Sequence, residues 1–414
     1  MARLVGPICS AVAVVVGLSF LAVPAYVGQV DAAAESTEPH GNVEHQAGLL
    51  LVGHRGAAGT APENTVAAFK DGRAAGADFI EVDVQLSADG VPFLFHDDTP
   101  ARTTNVEDVF PERDGDPITS FTWAELQQLD VGSYFDGRFI GEKIPHLDDA
   151  ARVATRATGV YIEIKSPVNS PGIEELVAEE LSAESAWRKL VGADKVQVLG
   201  FDESSNRRFA ALAPEVPLQQ LTGVVPGSEV LADWATVVDS VGANYRGLTP
   251  ADVIRVKEAG LVMGVYTVNS PEAVQAVADF GVDVVMTDFP IQNSRSLRGV
   301  PAFPGAALEI SGAVSNPLGY DVLPGAGEYV MLRNASGSAV DVSGYFLRDA
   351  AKNVLRVGEG YVLQPGGELR VHTGPGTNTS TACFNAMPSS VLNNTGDSLG
   401  LWTPELRLLD VYAN

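Results

Sequence analysis

Between Gly48 and Gln292 the chain alternates short apolar runs with helix-like stretches, and this alternation restricts the fold more than any other feature. The runs are LLLVG, DFIEVDV, VPFLFH, GVYIEIK, KVQVLGF, VPLQQLTG, ANYRGL, LVMGVYTV and VDVVMTDF. Several are separated by stretches such as ESSNRRFAALA, ADVIRVKEAG and SPEAVQAVADFG. Strands that each need a crossover helix build a parallel sheet, and repeats of this kind predict a (β/α)8 TIM barrel over 48–293. Nine runs compete for eight places. The connection QLSADG is too short for a parallel crossover, so DFIEVDV and VPFLFH are expected to pair as a hairpin.

The stretch from about 99 to 148 is long for a loop inside a regular barrel repeat and is expected to pack over one rim. At 294–305 the composition shifts to a Pro, Gly and Ser-bearing linker. From 306 to 414, short alternating runs such as VMLRN, GYFLRD and SLGLWT are broken by Gly, Pro and Asn, which predicts an all-β, immunoglobulin-like sandwich. It carries no catalytic cluster, so it is expected to fold and act separately from the barrel. The N-terminus runs from Met-Ala-Arg through an apolar segment to small residues by Ala34, the plan of a secretory signal over 1–34. An uncleaved anchor is the other reading of that segment, and either places the protein outside the cytoplasm. Once a signal is removed Cys383 is the one remaining cysteine, a small buried hydrophobe with no partner for a disulfide.

Barrel chemistry gathers at the C-terminal ends of the strands, and polar residues recur there. VGHRG ends in His54 and Arg55, IEVDV carries Glu81 and Asp83, FLFHDD ends near His96, YIEIK carries Glu163 and Lys165, and VVMTDFP ends with Asp288. Glu81 and Asp83 are two apart on a strand and leave the same face. Such a pair alone would equally suit a solvated face, but both lie within an apolar run. Enclosed like charges need a cation or a proton between them. Glu81, Asp83 and Glu163 make an oxygen-rich site for Mg²⁺ or Ca²⁺, with Zn²⁺ disfavoured. A cation beside His54, His96 and Arg55 suits phosphodiester hydrolysis. One histidine takes a proton from the nucleophile, the other protonates the leaving alkoxide, and Arg55 and Lys165 hold phosphate oxygens. Asn64 or Thr65 is expected to cap the following helix, and Glu63 to orient Arg55.

At GHRG (Gly53 to Gly56), PENT (Pro62 to Thr65), EVD (Glu81 to Asp83), FHDDTPARTTN (Phe95 to Asn105), EIK (Glu163 to Lys165) and TDFP (Thr287 to Pro290), the sequence resembles the glycerophosphodiester phosphodiesterase family. The resemblance implies His54 and His96 as the acid/base pair, Glu81, Asp83 and Glu163 as metal ligands, and Arg55 and Lys165 as phosphate contacts. It also implies that the segment Thr99 to Asp148 is an insertion that helps shape a glycerol pocket, and that Tyr266 stands where the family commonly has Trp. The last hundred or so residues resemble the lamin-tail domain at GEYVMLRNASGSAVDVSGYFLRD, LQPGGELRVHTGPG and NNTGDSLGLW; there His372 reads as an ordinary sandwich residue.

A net charge of −25 argues against nucleic acid or an anionic membrane as the main partner. The expectation is an exported enzyme that cleaves glycerophosphodiesters to sn-glycerol 3-phosphate and an alcohol, with the sandwich contacting the cell surface or wall. Two other readings are a phospholipase acting on intact lipids, for which no strong amphipathic or basic stretch is seen, and an inactive wall-binding or adhesive protein.

Overall fold

The computed structural model describes residues 48–394 and 396–413. The apolar N-terminal segment read as a secretory signal lies outside them. Among the described residues no helix is long and apolar enough to cross a membrane.

Nine strands form the first domain: β1 (Leu50–Gly53), β2 (Phe79–Leu86), β3 (Pro92–Leu94), β4 (Gly159–Ile164), β5 (Val196–Gly200), β6 (Leu218–Thr222), β7 (Ser240–Asn244), β8 (Val262–Tyr266) and β9 (Val284–Thr287). All except β3 are parallel and close into a ring, because β1 pairs with both β2 and β9. β3 runs antiparallel to β2, the hairpin that the short QLSADG connection requires. Strand parity divides the residues. Ile80, Val82 and Val84 face outward into the layer beneath the helices, while Phe79 packs inside the barrel with Val52, Tyr161, Leu199, Leu221, Val284 and Met286. The Phe79 and Tyr161 rings lie 4.7 Å apart and plug the barrel. Each such buried side chain contributes about 1.5–3 kcal/mol. Glu81, Asp83 and Glu163 share the inward parity of Phe79 and Tyr161 and stand above this plug.

One strand departs from its expected range. The run ANYRGL reads as a strand, but β7 ends at Asn244, and Tyr245 to Gly247 form a turn in which the Arg246 amide donates to Asn244 Oδ1. The earlier half of β7 escapes an apolar pattern because Ser240 faces a polar layer, accepting from Gln197 Nε2 at 2.6 Å. The linker likewise starts later than its composition indicates. The helix Pro290–Leu297 runs into it, tied to the barrel by Asn293, whose amide donates to Thr287 Oγ1 at 2.7 Å.

The second domain holds β10 (Leu308–Val314), β11 (Tyr329–Asn334), β12 (Val340–Asp341), β13 (Phe346–Asp349), β14 (Val354–Arg356), β15 (Val362–Leu363), β16 (Glu368–His372), β17 (Ala382–Phe384), β18 (Ser398–Trp402) and β19 (Leu408–Ala413). Two four-stranded sheets, β10-β11-β16-β17 and β14-β13-β18-β19, enclose one core that includes Leu332, Leu347, Val371 and Leu401. All their pairings are antiparallel except β16 with β17. Cys383 is buried in this core, and His372 stacks on Phe384 at 4.4 Å. The second domain packs against the barrel. Phe289, just after β9, packs against Phe346 and Trp402. Arg348 donates to Phe135 O and Lys352 to Ala58 O, at 3.1 and 2.8 Å.

Candidate active site

β1 halts because its last residues cannot continue. A Cβ on Gly53 would lie 2.1 Å from Gly56 O, and Gly56 adopts φ +90° against Ala68. The turn between them presents His54 and Arg55 at the barrel mouth. Thr65 caps the next helix, its hydroxyl accepting from the Ala68 amide at 3.2 Å. Asn64, the other capping candidate, instead bonds Asp83 twice: Nδ2 donates to Oδ2 at 2.7 Å, and Oδ1 accepts from the Asp83 amide at 3.1 Å.

Each histidine is held by an aspartate. His54 Nδ1 lies 2.7 Å from Asp288 Oδ1, and His96 Nδ1 lies 2.7 Å from Asp97 Oδ1. Burial alone would raise the Asp288 pKa, but His54, Lys352 and the Asn269 amide hold it at about 2. Burial would raise Asp97 too, yet His96 and Arg102 hold it well below the usual carboxylate range. With both carboxylates ionised, the shared proton sits on Nδ1 and leaves Nε2 as the working nitrogen of each ring.

Between the histidines lie Glu81, Asp83 and Glu163, all buried, with ligand atoms within 4.8 Å of one another. Glu81 Oε2 accepts from the Arg55 amide at 2.7 Å. Among the described residues, buried Glu81 Oε1 and Asp83 Oδ1 have no hydrogen-bond partner, the Lys165 ammonium standing 3.6 Å from Asp83 Oδ1. Burial, reinforced by Asp83 and Glu163, pushes Glu81 well above its ordinary pKa. Glu163 is raised by burial and Asp83 in spite of Lys165, whose ammonium lies 2.8 Å from Glu163 Oε1. Orphaned carboxylate oxygens beside mutually repelling acids fit a divalent cation with hard oxygen ligands. A second acidic group, Glu63, His96 and Asp97, is also compact, but Arg102 already bridges Glu63 and Asp97 at 2.7 and 2.6 Å.

Arg55 donates to Glu63 Oε1 at 2.6 Å, the orienting contact expected of Glu63. All seven residues singled out in the sequence, His54, Arg55, Glu81, Asp83, His96, Glu163 and Lys165, therefore stand at one barrel mouth. Five of them, with Leu199, Phe201, Tyr266 and Met286, line a cavity of about 200 Å³. Residues 99–148 contribute nothing to that lining and act from behind it. Arg102 braces Asp97 and Glu63, and Tyr134 Oη accepts from the Glu63 amide at 3.2 Å. Tyr266, in the place of the expected Trp, lines the cavity and donates its hydroxyl to Thr222 O at 2.7 Å.

Sequence reasoning marks Asp288 as a strand-end acid without giving it a role, and assigns nothing to Asp97, Arg102 and Asn269. The doubled acid of HDD and the TDFP motif are the available signals.

The fold and this constellation together define a (β/α)8-barrel hydrolase. Residues 54–292 match the Glycerophosphoryl diester phosphodiesterase family, and residues 301–414 match the Lamin Tail Domain. The chain belongs to the glycerophosphoryl diester phosphodiesterase family. It is 29% identical over 285 residues to a glycerophosphodiester phosphodiesterase of Bacillus subtilis (strain 168), covering 66% of this chain and 91% of that one. It is 32% identical over 247 residues to one from Caldanaerobacter subterraneus subsp. tengcongensis, covering 58% and 94%. Among solved structures it is similar to an Oleispira antarctica phosphodiesterase in complex with the product sn-glycerol-3-phosphate, with a TM-score of 0.51 and 27% identity, covering 60% of this chain and 97% of that one.

Proposed function

We propose that the protein is an exported, metal-dependent hydrolase that splits glycerophosphodiesters into sn-glycerol 3-phosphate and an alcohol by acid/base action of His54 and His96. The observation that carries this reading is that one cavity is lined by both histidines together with Arg55, Glu163 and Lys165. Export rests on the N-terminal sequence alone. Contact of the second domain with the cell surface or wall stays part of the proposal, through its faces away from the barrel.

Glu81, Asp83 and Glu163 would hold the cation, Mg²⁺ or Ca²⁺ by their all-oxygen set, and it would supply charge neutralisation for the phosphate. Arg55 and Lys165 face the same cavity and take the phosphate oxygens, Arg55 pre-set by Glu63 and Asp83. His54 lines two adjoining cavities whereas His96 lines one of them, so His54 stands where the leaving alcohol departs. His96 Nε2 accepts a proton from the attacking water as its oxygen bonds phosphorus. The bond from phosphorus to the alcohol oxygen breaks, and His54 gives that oxygen the proton from Nε2. Asp288 and Asp97 steady the two imidazolium states in turn.

The test is release of glycerol 3-phosphate from glycerophosphocholine or glycerophosphoglycerol by the full chain, with and without chelator. Release that depends on metal supports the reading. No release from any glycerophosphodiester by folded, metal-loaded protein would overturn it.

A further inference from the structure

A second cavity, of about 300 Å³, opens beside His54 and is walled by both domains. The barrel supplies His54, Arg55, Arg246, Tyr266 and Asp288. The second domain supplies Lys352 from the turn between β13 and β14, and Asp397 and Ser398 at the start of β18. This cavity meets the smaller one at His54, Arg55, Tyr266 and Thr267, so a diester lying across His54 would extend one ester group into each.

The wall from the second domain is built into place. Asp349 accepts from the Asn353 amide at 2.6 Å and from its side chain at 2.7 Å, closing the turn. Lys352 sits in the left-handed region at φ +74°, and its ammonium reaches down to donate to Ala58 O at 2.8 Å. Burial lowers its pKa while Glu63 and Asp288 pull it back up, which places its charge in the field of the catalytic dyad. Arg246 reaches the other way and donates to Asp397 O at 3.0 Å. Phe346 and Trp402, packed on Phe289, anchor the junction.

The lining also states what it would accept. Its ionised groups balance, with Arg55, Arg246 and Lys352 against Glu63, Asp288 and Asp397, and Asn244, Asn269, Asn393 and Ser398 add donors and acceptors. Among the described lining residues Tyr266 is the one Phe, Tyr or Trp. A quaternary ammonium is recognised by several aromatic faces, whereas hydroxyls are recognised by converging donors and acceptors. We propose that the lamin-tail domain completes the leaving-alcohol half of the active site, with Lys352 as a specificity residue, and that this half takes a small neutral polyhydroxyl alcohol in preference to a quaternary ammonium alcohol. This rests on the hydrolase reading above.

The experiment measures kcat/KM for the full-length, metal-loaded protein on glycerophosphoglycerol, glycerophosphocholine and a glycerophosphomethyl diester, which has nothing to place in the cavity. The expected result is a preference of about tenfold or more for glycerophosphoglycerol over glycerophosphocholine. Lys352→Met should lower the ratio of kcat/KM on glycerophosphoglycerol to kcat/KM on the methyl diester by about tenfold, chiefly through KM, whatever common loss the missing charge beside Asp288 imposes on both. Ala350→Trp, at an exposed residue lining the cavity, should block the glycerol ester and spare the methyl ester, and serves if Lys352→Met fails to fold. Equal losses on all three diesters would assign Lys352 a merely structural role and overturn the inference, as would unchanged profiles in both variants or a wild-type preference for glycerophosphocholine. Wild type inactive on every diester would instead refute the hydrolase reading itself.

Discussion

Replacing Asp288 by Asn tests how much of the activity depends on the buried carboxylate behind His54. The fall of the Asp288 pKa from its ordinary 3.8 to about 2 occurs against a burial penalty that would raise it. At 1.36 kcal/mol per pKa unit, that net fall corresponds to about 2 kcal/mol of preference for the ionised acid beside its cationic neighbours, on the order of tens-fold. Asp288→Asn would also reverse the hydrogen bond. Asn269 Nδ2 donates to Asp288 Oδ2 at 2.7 Å, so the amide oxygen of the introduced side chain would turn there and its NH₂ would face His54 Nδ1. That forces Nδ1 to accept, and the imidazole takes the wrong tautomer. Loss of charge and tautomer together predict a fall of about 10²–10⁴ in kcat/KM near neutral pH, with a smaller change in KM. Glycerol 3-phosphate release across pH, with nitrogen NMR of the histidine rings, reads both effects. A folded Asp288→Asn protein within about threefold of wild type would refute the dyad. The same shift bears on stability. A depressed acid stabilises the fold above its unfolded pKa, and that contribution is lost as pH falls from about 3.8 towards 2.

His54→Ala and His96→Ala should each fold and lose a factor of about 10² or more in turnover, and near-normal activity in either would remove that residue from the acid/base pair. Excess chelator should abolish turnover and lower the melting temperature, with Mg²⁺ or Ca²⁺ restoring both, because Glu81, Asp83 and Glu163 repel one another without a cation. Full turnover at a measured metal content of zero would exclude the metal site. Burial raises Asp410 to about 6, although the Ile310 amide donates to it. A raised acid gives stability that is complete below its unfolded pKa and is lost as pH rises through about 6, so Asp410→Asn should flatten the stability profile between pH 4 and 7 by up to about 3 kcal/mol. Denaturant melts across that range decide it, and an unaltered profile would contradict the assignment.

Much of the barrel is legible in the sequence because its signals are local. Strand parity at Glu81 and Asp83 and the short QLSADG connection act over two to six residues, and β2 and β3 follow them. The site residues are legible for the same reason, lying within β2 or at or just past the ends of β1, β3 and β4. The partners that make those residues work are not, because they are set by closure of the barrel. Asp288 reaches His54 across 234 positions, and Arg102 reaches Glu63 across 39. β7 departs from its expected range because Ser240 serves a polar layer that no apolar pattern announces. The role of the second domain is hidden most completely. Lys352 sits in a sequence without any catalytic cluster, and its contact with Ala58 spans 294 positions.

Fifty-two acidic residues outnumber 27 basic ones, yet Arg55, Arg246 and Lys352 converge on the cavity beside His54, and Arg55 and Lys165 on its neighbour. Beyond a Debye length of about 8 Å the acids elsewhere are screened, so an entering diester meets chiefly this local field. A phosphodiester brings one negative charge and its monoester product nearly two near neutral pH. A mouth whose fixed charges balance, set on an acidic body, therefore admits the singly charged diester at short range, while the wider acidic surface does nothing to retain the more anionic product. Of those cationic side chains, only Lys352 is supplied from outside the barrel. A hairpin on the appended domain can thus tune which alcohol is released without disturbing the carboxylates and histidines that the barrel closure holds in place.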